Sequence, residues 1–163
     1  MMFNRDDPKT WGCFRPRIIA HDVGRSRDRS TVVIGGPAPF DPSLIGFEEA
    51  WELPQGLFGS ARASELAKVD RHYDSEALIV ADLSSDPTYA EVLFDTFGHR
   101  VIGLHITRHG DGMNFERRRV RDSAMLVYTV GRSYLLELPA AISSNQNYRW
   151  AKYPTCLRPA YGA

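Results

Sequence analysis

Two aspartates carry the chemistry open to this sequence. Asp22 follows the apolar run Arg17–Ala20 and His21, and Asp82 follows the fully apolar Ala77–Ala81. A carboxylate closing an apolar strand is costly unless it sits at the sheet edge, is paired, or binds a metal. If the two strands are parallel neighbours, both acids reach one carboxyl edge, which is where ligands sit in open α/β sheets. Their mutual repulsion there favours a hard divalent cation, Mg²⁺ or Mn²⁺, held by a few carboxylates and waters. With two such ions the available reaction is in-line attack of water on a phosphodiester. Each acid also has a plain structural use. Asp22 can open an Asx-turn at Val23–Gly24, and Asp82 can close the turn that follows it.

Further acids are weighed beside this pair. Asp28, between Arg27 and Arg29, is a third candidate metal ligand or a turn acid, and Asp86 is placed to cap a helix. Glu137, in the last helix-like stretch, either faces the sheet edge as a third catalytic acid or pairs with Arg132. His21 is adjacent to Asp22 and is expected to line the same site, whereas His105, in the middle of a strand, reads as a satisfied structural histidine. The histidines lack zinc spacing, and no GxGxxG, Walker or GxSxG pattern occurs, so no cofactor-cradling loop or serine nucleophile is indicated.

The elements that must position these acids are read from the pattern. Residues 17–36 form two β-branched runs around a polar link, an antiparallel hairpin. Pro37, Pro39 and Pro42 then predict an irregular link. Residues 45–53 read as a third strand or one helical turn, stopped by Pro54. Residues 60–73 have helical spacing at Ala63, Leu66, Ala67 and Asp70, with Ser60 or Ser64 as the cap. Residues 77–81 are a buried strand. With Asp86 as cap and Pro87 in the first turn, residues 88–97 form a helix that ends at Gly98. Residues 101–106 are a further strand. That strand–helix–strand order is a βαβ unit, so its two strands are parallel. Residues 107–114 form a glycine-rich loop, 117–124 are ambiguous, and 125–130 are a strand or the lead-in to a helix. Residues 132–142 are helical, broken at Pro139.

The 163 residues, 43% hydrophobic and 25% charged, fit one α/β domain over 1–163, with an irregular arm at 1–16 and an irregular tail at 143–163. No run of 18 apolar residues is present, so no membrane span is expected. The N-terminal residues lack an apolar signal core, and Cys13 and Cys156 stand far apart. A reduced, cytoplasmic protein is the expectation. Net charge is zero, which argues against a general nucleic-acid coat, yet residues 108–121 hold five arginines against two acids. Arg108, Arg117, Arg118 and Arg119 there can meet a phosphate backbone or form a solvated, salt-bridged face.

The segments HDVGRSRDRSTVVIGG and ALIVADLSSDPTYAEVLFDTFGHRVIGLHITRHG resemble the nuclease domain of large terminase subunits from tailed bacteriophages. Asp22, Gly24, Asp28 and Ser30 stand on that family's first motif, Asp82 on its second, and Val101, Gly103, Leu104, Thr107 and Gly110 on its third. Residues 131–142 are similar to its next helical segment. The resemblance covers residues 17 to about 142 and implies a ribonuclease-H-like fold. That is a mixed sheet with an N-terminal antiparallel hairpin joined to a parallel βαβ unit. It further implies a Mg²⁺- or Mn²⁺-dependent DNA endonuclease, with Asp22 and Asp82 as metal ligands and Glu137 or Asp28 as a third, acting on the double-stranded DNA backbone. The chain departs from the family in two places. Ser84–Ser85–Asp86–Pro87 replaces the glycine-rich loop after the second aspartate, and no acid follows Glu137, where the family has its last catalytic residue. A packaging ATPase domain with a Walker motif is also missing. A shortened, active or degenerate nuclease domain is therefore one expectation. The other is a non-catalytic nucleic-acid- or protein-binding module on the same fold, forming a homo-oligomer through the aromatic tail at Tyr148, Trp150 and Tyr153.

Overall fold

The computed structural model describes residues 17–24, 28–38, 41–73, 75–110, 112–120, 122–137, 149–150 and 157–159. The chain begins with β1 (Ile18–Asp22) and β2 (Thr31–Ala38), which pair antiparallel, and β2 then pairs antiparallel with β3 (Asp41–Glu52). After α1 (Gly59–His72) come β4 (Leu78–Asp82), α2 (Tyr89–Phe97), a 3-10 turn at Gly98–Arg100 and β5 (Val101–Thr107). β6 (Met113–Val120) and β7 (Ser123–Gly131) make a hairpin, and residues 132–137 are helical.

One mixed sheet results, in the order β6-β7-β5-β4-β1-β2-β3. β1, β4, β5 and β7 run parallel, so their carboxyl ends share one edge. The antiparallel β1–β2–β3 meander joined to a parallel β4–α2–β5 unit is the expected ribonuclease-H-like α/β arrangement. Side chains alternate across it. Ile19, Val32, Ile34, Ile79, Val101, Met125 and Val127 are buried in one core with Leu66 and Val69 of α1 and Leu93 and Phe97 of α2. The helices therefore cover that face. On the opposite face Ile18, Val80, Ile102, Leu104 and Leu126 are only partly buried.

Several expectations are corrected. Pro37 and Pro42 do not interrupt the sheet but lie inside β2 and β3, whose pairing shifts register at Ile34/Gly35 and again at Pro37/Ala38. Such bulges are where a strand can accept proline, because a ladder bond is already missing there. The first shift leaves Glu48 as the extra residue between Phe47 and Glu49, and its carboxylate meets Arg17 at 2.8 Å in a buried pair. That pairing explains why β3 lacks clean apolar alternation. The ambiguous 117–124 segment is the β6–β7 hairpin.

The tail is not wholly irregular. β8 (Arg149–Trp150) and β9 (Leu157–Pro159) lie parallel on the outer edge of β3, whose backbone groups would otherwise lack ladder partners. Neither Ser60 nor Ser64 caps α1. Its cap is Phe58, without a side-chain bond. α2 starts one residue after the expected position and ends at Gly98, whose φ of +62° suits glycine. Expectations placed on Trp11, Phe14, Cys13, Cys156, Tyr148 and Tyr153, and on the break at Pro139, lie outside the described residues. No helix among the described residues is long and apolar enough to cross a membrane.

Candidate functional site

β1 and β4 are parallel neighbours whose register runs from Ile18 opposite Leu78 to Asp22 opposite Asp82. Both strands end on their acid. Register partners share a sheet face, and adjacent strands lie about 4.8 Å apart, so the two carboxylates stand side by side at the carboxyl edge. They line a shallow concavity of about 320 Å³ together with Ala20, Val33, Val80 and Leu104, on the face away from the helices.

The two acids are held differently. Asp82 Oδ1 accepts hydrogen bonds from the Ser84 amide (2.9 Å) and the Ser84 hydroxyl (2.5 Å). Ser84 Oγ in turn accepts from the Ile106 amide of β5 (2.7 Å). Asp82 thus closes the following turn, as its structural reading expected, while still standing beside Asp22. The Gly24 amide, which an Asx-turn from Asp22 would use, donates instead to Ser30 Oγ (3.1 Å). A Cβ on Gly24 would lie 2.5 Å from the Asp28 carbonyl, so only glycine lets this loop close. Two donors fasten the exit of β1 from outside. Ser85 Oγ donates to the Val23 carbonyl (2.8 Å) and Arg62 Nη2 to the Gly24 carbonyl (3.2 Å). Asp22 is exposed, but partial burial of its carboxyl first, then the negative charges of Asp82 and Asp28, hold that carboxyl above the usual carboxylate range.

The other expected residues fall elsewhere. Asp28 is exposed in the β1–β2 link, near enough for its charge to act on Asp22. Glu137 is exposed in the helical 132–137 segment. That segment follows β7, three strand positions from β1, or about 14 Å at ordinary strand spacing. Among the described residues no three His, Cys, Asp or Glu side chains gather closely enough to hold a metal ion. The donor set therefore fits a single hard cation on Asp22 and Asp82, completed by water, rather than a protein-built two-ion centre. His21 does not turn toward the acids. Its ring is buried on the helix-covered face, edge-on to Tyr89 at 5.9 Å, with Nδ1 3.3 Å from the Thr31 carbonyl. Burial pushes it down to about 4. His105 is exposed rather than enclosed.

A phage nuclease of known structure is similar to this chain. It is the large terminase nuclease from thermophilic phage G20c, with a TM-score of 0.38 and 22% identity over 50% of this chain and 42% of that one. The chain thus spans less than half of the length of that structure. No protein-family model and no curated protein matches the sequence.

Alternation divides the arginine cluster. Through the registers, Asp22 and Asp82 share a row with Leu104, Tyr128 and Phe115. Arg117 and Arg119, at even steps from Phe115 along β6, fall on the acids' face, and Arg118 on the other. All three are exposed, as is Arg108 after β5. Sequence reasoning missed Ser84, Ser85 and Arg62. The paired serines directly after an acid-ended strand were a usable signal, since hydroxyls there are natural donors to the carboxylate. Arg62 carried none, because nothing in a helix sequence announces that a guanidinium reaches across to another loop.

Proposed function

We propose that this chain is a metal-dependent DNA endonuclease domain of the phage terminase type. The observation that carries the reading is the pairing of Asp22 with Asp82 at the shared ends of two parallel strands. In this reading the two carboxylates hold Mg²⁺ or Mn²⁺, whose chemistry is to activate water and to neutralise charge developing on phosphorus. Water completes the set, with Asp28, whose charge reaches Asp22, as the nearest further acid, while Glu137 lies too far along the sheet to join it. Arg108, Arg117 and Arg119 contact the phosphate backbone and read no base. Asp22, with its raised carboxyl, is the acid that gains most from a cation. Ser84 fixes the rotamer of Asp82 through Oδ1, leaving ligation to the other oxygen.

A second reading is supported by the same Ser84 bonds, because an Asp82 committed to its turn suits a non-catalytic nucleic-acid- or protein-binding module. Plasmid nicking separates the two. With millimolar Mn²⁺ the wild-type chain is expected to convert supercoiled DNA to open circles, and Asp22→Asn or Asp82→Asn each to abolish this. Absence of nicking, with DNA binding and folding retained, selects the second reading.

A further inference from the structure

Behind the acid pair, on the helix-covered side of the sheet, three buried polar atoms among the described residues have no hydrogen-bond partner: His21 Nε2, Arg62 Nη1 and Tyr89 Oη. Their residues are 2%, 3% and 1% exposed, so bulk water cannot serve them. They also form one cluster. The Arg62 guanidinium lies 5.0 Å from the centre of the Tyr89 ring, and the His21 ring lies 5.9 Å from it. Leaving one such group unpaired costs about 1–3 kcal/mol, and native proteins almost always avoid it. Three unpaired atoms on residues packed against one another point to a missing shared partner.

The chemistry of the three atoms selects that partner. His21 Nδ1 faces the Thr31 carbonyl, which can only accept, so Nδ1 carries the proton and Nε2 presents a lone pair. Arg62 Nη1 can only donate, and the Tyr89 hydroxyl can do both. Asp86 lies nearby as well, its carboxylate 3.9 Å from Arg62 Nη1, a loose ion pair too long to be a direct hydrogen bond. An anion is disfavoured because the His21 lone pair would repel it. We propose that His21, Arg62 and Tyr89 enclose a single buried water molecule that joins β1, α1 and α2 beneath the acid pair. It accepts from Arg62, donates to His21 and exchanges a hydrogen bond with Tyr89, the three contacts usual for an internal water. Arg62 is the hub of this arrangement, since its other nitrogens donate to the Leu57 and Gly24 carbonyls. The inference is independent of the nuclease reading and stands or falls without it.

A high-resolution crystal structure of the full chain tests it directly. The expected result is one isolated density peak within hydrogen-bonding distance of all three atoms. In solution, the nitrogen chemical shifts of His21 should show a protonated Nδ1 and a bare Nε2. Tyr89→Phe should keep the fold and the peak with one contact fewer, and lower the melting midpoint by a few degrees. Absence of density, with the three side chains bonded to one another, would overturn the proposal. So would a protonated Nε2, or a bromide soak that places an anomalous peak at the same spot.

Discussion

At the scale of single residues, the site is a contest between two like charges and what relieves them. Asp22, raised by burial and by Asp82 and Asp28, is destabilising in its ionised form when no cation is present. Asp22→Asn is therefore expected to stabilise the fold in metal-free buffer by roughly 0.5–1 kcal/mol, the scale of an exposed charge pair, and so to raise the melting midpoint. Mn²⁺ should raise the wild-type midpoint and leave that of the variant unchanged, as read by calorimetry. A variant less stable than wild type without metal sinks this account. His21 gives a pH dependence of opposite sign. Its folded value of about 4 lies below the ordinary 6.5, so between those values the unfolded chain binds a proton that the folded chain does not. Its contribution, about 3 kcal/mol, is complete above pH 6.5 and is lost as pH falls toward 4. Asp22 works against this trend, because a raised carboxyl favours the folded state as pH falls. Urea midpoints across this range, compared with those of His21→Phe, should show the loss only in the wild type.

At the scale of elements, the acids are held by loops rather than by the strands alone. Ser84→Ala removes a donor from Asp82 and strands the Ile106 amide, which should cost about 1–2 kcal/mol and shrink the Mn²⁺-induced rise in melting midpoint. An unchanged metal response would show that Ser84 serves only the fold. The joint between α1 and the start of β5 is a second such device. Arg100 grips both oxygens of the buried Asp70 (2.9 and 2.7 Å) and the Ala77 carbonyl (2.8 Å). Arg100→Ala leaves that carboxylate enclosed and unpaired, with an expected loss of about 3 kcal/mol or more in denaturant unfolding. The strands and helices that carry the acids were legible in the chain because they are runs of local pattern, apolar and ending in Asp, Gly or Pro. The continuous β2–β3 pairing was not, since a bulge that hosts Glu48 and tolerates proline depends on Arg17, thirty-one residues away. The inward turn of His21, by contrast, was legible in strand alternation, since its neighbour Asp22 must point to the other face, yet it was passed over.

At the scale of the whole molecule, the sheet has one face sheathed by helices and one that carries the acids, a shallow apolar concavity and two of the three β6 arginines. Arg117 lies three strand positions across and two residues along from Asp82, about 16 Å, a span of some four to five base steps along a nucleic-acid strand. Arg117→Ala together with Arg119→Ala is expected to weaken DNA binding and flatten its salt dependence by about two ion-release equivalents, while Arg118→Ala should do much less. Equal effects from all three, in titrations at several salt concentrations, would remove the case for a directional DNA face.

The parallel pairing of β1 with β4 has one more consequence. A slip of a single position would set Ala81 or Leu83 opposite Asp22 and rotate Asp82 into the packed interior. Lengthening the connection between β1 and β2 leaves that alignment alone, whereas one inserted residue inside either strand dismantles it. Changes of length are thus tolerated in the connection and all-or-none in the ten residues of the two strands.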